Sequence, residues 1–203
     1  MKKILFVLVA IFVCGTINAQ LVTSTSFKET RAKTLWYVKA GMTMANMSAD
    51  GESAGNLVGY NVGIAFDRPV GGGVFWGMGL TLGTKGYKFS ESGYEVKLNA
   101  NKLEIPINLG YKYSINEDFA VDARVGGFVN YDVFGKMTED DGRDSESYNL
   151  GDIEDYDRFG AGIQFGVGVW YQHLNFNITY QNGLVKQNEA KERNWMFSLG
   201  YAF

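Results

Sequence analysis

Three groups of residues in this sequence carry ionisable chemistry. The first is Lys39, Glu104, Lys112, Asp122 and Arg124, charges that each interrupt a segment otherwise made of apolar and small residues. Charges in such surroundings are costly unless they pair or reach water. They can act as a gate, in which salt-bridge partners switch to open a conduit, or as a fixed polar plug. The second group is an acidic stretch with Glu139, Asp140, Asp141, Asp144, Glu146, Asp152, Glu154, Asp155 and Asp157, and Arg143 as its only base. Carboxylates suit divalent cations, but the spacing lacks the order and closing glutamate of a calcium loop. A solvated acidic loop that meets ions or a partner is the reading it supports. The third is His173, the sole histidine. No serine and carboxylate stand around it to form a triad, and one histidine cannot build a His-rich metal site. Neither catalytic residues, a cofactor nor a metal is expected.

The elements that must position the charges are strands. In the last segment Trp195, Phe197, Leu199, Tyr201 and Phe203 share one face, and Asn194, Met196, Ser198, Gly200 and Ala202 the other. Side chains alternate faces along a strand, so one surface is large and apolar and the other small or polar. The same alternation runs through 36–43, 58–66, 74–83, 103–113, 119–131, 159–171 and 174–181, which makes eight strands. Twenty-six glycines beside an aromatic share of 15% mark a barrel, because the glycines lie inside these alternating segments. The glycine-rich faces are too small to fill a core, and the aromatic faces too bulky to meet inside so narrow a cylinder. Turning the large residues outward against lipid satisfies both constraints. The predicted fold is all-β: an eight-stranded antiparallel up-and-down transmembrane β-barrel over residues 35–203. Closure is needed because an open edge in hydrocarbon leaves backbone groups unpaired.

The connections alternate in length. Those at 68–73, 114–118 and 172–173 are short, and those at 45–56, 84–101, 135–157 and 183–193 are long. Short periplasmic turns and long extracellular loops follow, with both ends of the barrel chain in the periplasm. Register across the 114–118 turn sets Lys112 one diagonal step from Asp122. Pro106 cannot donate to a ladder that has no free edge, so a bulge or bend is expected there.

The N-terminus reads as an export signal: Lys2 and Lys3, an apolar run over 4–13, then small residues with cleavage near Ala19. Residues 20–34 are a flexible periplasmic lead-in. Cys14 follows the bulky Val13, which disfavours lipidation, and its loss with the signal leaves no cysteine for a disulfide. A net charge of −3 without a basic stripe points away from nucleic acid.

From about Leu35 to Phe203 the chain resembles the PorT-like outer-membrane β-barrel domain family of Bacteroidota. The resemblance rests chiefly on Lys102 to Tyr113, which contains Leu103-Glu104-Ile105-Pro106, supported by the glycine-rich strand Ala123 to Tyr131, the strand Phe159 to Trp170, and Tyr201-Ala202-Phe203. It implies an integral outer-membrane location, and Tyr201 and Phe203 as a C-terminal signal read by the barrel-insertion machinery. The expected role is structural or surface interaction, with outer-membrane lipid around the wall and an envelope or surface protein on the external loops. The alternatives are a transport or type IX-like secretion component, since the family includes such members, and a lipid-modifying outer-membrane enzyme.

Overall fold

The computed structural model describes residues 33–203 except 50, 51, 54, 92, 93, 141–143, 153–156 and 186–190. The export signal at 1–19 and nearly all of the 20–34 lead-in lie outside the described residues.

Ten strands form. They are β1 (Leu35–Ala49), β2 (Glu52–Ser53), β3 (Leu57–Gly71), β4 (Val74–Glu91), β5 (Tyr94–Ser114), β6 (Phe119–Asp140), β7 (Ser145–Asn149), β8 (Phe159–Tyr171), β9 (Leu174–Gly183) and β10 (Lys191–Ala202). Eight of them pair antiparallel with chain neighbours in the order β1-β3-β4-β5-β6-β8-β9-β10, and β10 pairs back onto β1 from Tyr37↔Ala202 to Ser48↔Lys191. The ring is closed. β2 folds back on β1, and β7 lies beside β6 outside the ring order.

Register puts the predicted faces where the alternation assigned them. On β8, Phe165, Val167 and Val169 are exposed while Gly166, Gly168 and Trp170 are buried. β10 repeats this, with Leu199 58% exposed and Ser198 5%. An apolar band therefore wraps the outside. Among the described residues four buried aromatic rings depart from the expected small or polar interior, since Tyr37, Phe75, Phe128 and Trp170 point inward. Glycines make the room. A side chain at Gly110 would collide with the Phe75 ring, and one at Gly162 would come within 2.6 Å of Phe128.

The two-residue turn between β8 and β9 joins Tyr171 to Leu174, with Gln172 at φ 51° supplying the left-handed step a tight hairpin requires. At Pro106 the expected bulge is absent. Pairing with β4 lapses between Met78↔Ile107 and Thr81↔Glu104, yet register is the same on both sides, and β6 still pairs through Pro106↔Phe128. The missing donor is absorbed by a gap in one ladder. The actual irregularity lies between Asn101 and Lys102, where β6 carries an extra residue and turns both Val133 and Phe134 outward.

The largest correction concerns the long connections. A membrane strand needs about 9–11 residues, whereas β4, β5 and β6 run for 18, 21 and 22. Most of 84–101 and part of 135–157 are ladder rather than loop. With β7 added, they form a four-stranded sheet beyond the apolar band at the long-loop end. A small cluster packs its inward face, with Leu98, Ala100 and Leu150 buried against Tyr87 and Met137.

Candidate functional site

The interior charges arise where inward strand positions pass the middle of the ring, and they gather in three tiers. Nearest the short turns, Asp122 on β6 accepts from Arg124 Nε at 2.9 Å and from the Trp170 indole N–H. Arg124 also donates to the Tyr37 hydroxyl at 3.1 Å and approaches Asp67 at 3.5 Å. Lys112 stands directly across the ladder from Asp122, not a diagonal step away. Its ammonium sits 3.5 Å over the Trp170 ring. The indole thus takes a cation on its π-face while its N–H serves the carboxylate.

In the middle tier Lys85 forms a buried ion pair with Glu104. Lys85 also donates to Gln181 Oε1 at 2.7 Å, and Gln181 Nε2 donates to Glu104 Oε1 at 2.7 Å and to Gln164 Oε1 at 2.9 Å. Gln164 passes the chain to Asn108 at 2.6 Å. Lys39 borders the same space. In the outer tier Lys102 pairs with Glu192 and, at 3.1 Å, with Asp132, while Asn130 donates to Glu192 at 3.2 Å. Lys102 and Glu104 are 1% and 2% exposed. Burial that deep demands compensation.

Among the described residues five cations (Lys39, Lys85, Lys102, Lys112, Arg124) therefore face five carboxylates (Asp67, Glu104, Asp122, Asp132, Glu192) within the ring, and their formal charges cancel. The space left between the lower and middle tiers is about 30 Å³, room for about two waters. In chemical terms the set is a neutral, cross-linked polar plug. It ties β1, β3, β4, β5, β6, β8, β9 and β10 together from inside.

Reasoning from sequence singled out half of these ten charges. Asp67, Lys85, Lys102, Asp132 and Glu192 were missed because they lie at or past the ends of the assigned apolar runs. Extending each alternation by two residues would have found Asp67 after Ala65, Lys85 after Gly83, and Glu192 before Asn194.

Among the described residues the acidic stretch does not converge. Glu139 and Asp140 end β6, Glu146 lies on β7, and Asp144, Asp152 and Asp157 are exposed; Asp141, Glu154 and Asp155 lie outside the described residues. Glu139 stands directly opposite Glu146. The Tyr148 hydroxyl donates to Glu146, and that bond raises the phenol above its ordinary range. Among the described residues no three acidic, histidine or cysteine side chains come together as metal ligands. His173 lies in a short turn, its ring stacked 6.0 Å from Tyr201. At the C-terminus, Tyr201 faces outward and the Phe203 N–H donates to the Trp36 carbonyl at 2.9 Å.

A closed eight-stranded ring, apolar outside and charged within, accords with the family comparison. The model of the outer membrane protein beta-barrel domain matches residues 18–187. The chain belongs to this family. Its location is accordingly the outer membrane. No curated protein matches the chain. Among solved structures, this family member is similar to Ail, the attachment invasion locus protein of Yersinia pestis. That match has 16% identity and a TM-score of 0.47, and covers 84% of this chain and 99% of Ail. It is also similar to Neisserial surface protein A, at 18% identity and TM-score 0.44 over 82% and 95% of the two chains. OprG of Pseudomonas aeruginosa follows at 15% identity and 0.44, over 85% and 97%.

Proposed function

We propose that this protein is a non-enzymatic surface-contact protein of the outer membrane. Its plugged barrel is the anchor, and its extracellular sheet is the part that works. The observation that carries this reading is β7. All five of its residues are exposed, and among the described residues it pairs only with β6. An exposed edge offers unpaired N–H and C=O groups to an incoming extended segment, which adds as a further strand. The neutral plug supports the same division of labour, since space for about two waters suits an anchor better than a conduit. On this reading the short turns face the periplasm, and the PorT-like resemblance of Lys102 to Tyr113 reflects shared barrel architecture.

The test is photo-crosslinking on intact cells, with the reactive side chain at Ser147 on β7 or at Val167 on the lipid-facing wall. Adducts to an envelope or surface protein are expected from position 147 and not from 167. A Ser145→Pro variant carrying the same reactive side chain at position 147 loses an edge donor and should lower the yield about tenfold, the effect of losing roughly 1.4 kcal/mol. Absence of protein adducts at 147, or a yield unchanged in the proline variant, contradicts the reading.

A further inference from the structure

The sheet beyond the apolar band has two chemically different faces. Its inward face continues the barrel lumen and carries the opposed carboxylates Glu139 and Glu146. The outward face continues the lipid-facing wall and carries Lys88, Lys97 and Lys136, with Glu95 directly opposite Asp140 at its outer end. Register sets Lys88 directly opposite Lys97, Lys97 opposite Thr138, and Asn99 opposite Lys136. Like charges directly across a ladder, about 5 Å apart, are destabilising unless an anion lies beside them. Lys88 has Glu95 at 2.8 Å. Lys97 and Lys136 form no ion pair among the described residues.

We propose that this outward face seats the phosphate-bearing headgroup of an outer-leaflet lipid. Continuity fixes the occupant. Phe134 is exposed on the same face as Lys136 and two residues nearer the membrane, which places the Lys136 ammonium roughly 5 Å beyond the acyl boundary. Lys97 lies six residues beyond Leu103, the outermost aliphatic residue of the β5 wall, or roughly 15 Å out once strand tilt is included. The two ammonium groups therefore span the headgroup layer that abuts the wall, and lysine stems bridge apolar and charged surroundings well. Asn99 and Thr138 supply neutral donors beside them. A phosphate offers the charge and the several acceptor oxygens this set requires.

The full chain reconstituted in phosphatidylcholine nanodiscs doped with lipid A, a phosphorylated glycolipid, provides the test, with retained lipid counted by native mass spectrometry. Wild type should retain lipid A in preference to phosphatidylcholine and lose that preference for dephosphorylated lipid A. The double variant K97A/K136A should bind it about thirtyfold more weakly, at roughly 1 kcal/mol for each lysine near an anionic surface. Because Lys136 is exposed and Lys97 half-exposed, heat-modifiable gel migration should show both proteins folded. K136A alone, with its exposed side chain, keeps the test available should the double variant misfold, and should bind roughly fivefold more weakly. Equal retention by wild type and folded variants, or equal retention of the dephosphorylated lipid, overturns the proposal.

Discussion

Replacing Asp122 with Ala should destabilise the barrel by about 3–5 kcal/mol, the cost of leaving a buried charge without its partner. Asp122 is the hub of the inner tier: its carboxylate takes two guanidinium contacts from Arg124 and the indole N–H of Trp170. Without it, Arg124 keeps Asp67 at 3.5 Å, the Tyr37 hydroxyl and the face of the Phe75 ring, and the indole loses its acceptor. Two further variants separate charge from packing. Asp122→Asn keeps an acceptor and should fall between wild type and Ala. Asp122→Ala combined with Arg124→Met removes both charges and should recover much of the loss, because an apolar replacement of a buried pair is often nearly neutral. Reversible urea unfolding in lipid vesicles measures all three. A change under about 1 kcal/mol for Asp122→Ala would mean the plug contributes little to stability.

The second large effect belongs to the wall. Val167 lies near the middle of the outward run on β8 and is 57% exposed, facing what the fold makes hydrocarbon. Val167→Arg should cost about 2–4 kcal/mol in a bilayer, the depth-dependent penalty of a cation at the midplane of a barrel. Val70, at the short-turn end of β3 and 67% exposed, should tolerate Arg at about 0–1 kcal/mol. In a soluble barrel with a watery exterior, neither exposed position would penalise the charge. The difference between the two sites therefore carries the information, and the same vesicle unfolding assay reads it.

The alternation of large and small residues disclosed the ring because a wall between lipid and a narrow lumen needs two unlike faces at every step. Trp195 to Phe203 and Phe159 to Tyr171 show it without a break. Where the sheet leaves the membrane, that demand ends. Lys88, Lys97 and Lys136 occupy the outward positions, so the hydrophobic period vanishes while the ladder continues, and β4 to β6 were read as loops from residue 84 onward and beyond residue 135. The lost outer charges have the same origin, since Lys85, Lys102 and Glu192 sit where the apolar signal fades. The inward aromatic rings were hidden for a different reason. Phe75 and Phe128 fit only because Gly110 and Gly162 face them from neighbouring strands, and such pairings depend on register across the ring rather than on any one segment. Pro106 shows the reverse error. A local rule demanded a bulge, and the ladder on the β6 side was enough to hold register.

Everything rests on which surface of the sheet meets lipid. Cys14 is the sole cysteine of the sequence, so in a Cys14→Ser background single cysteines at positions 167, 176 and 199 can be spin-labelled in the refolded protein and challenged with relaxation agents in a bilayer. Fast relaxation by oxygen and protection from a water-soluble nickel chelate at all three positions is the outcome that a lipid-facing wall requires. Labels shielded from both agents, or relaxed by the chelate instead, would place these residues in a dry core or in water and contradict the account.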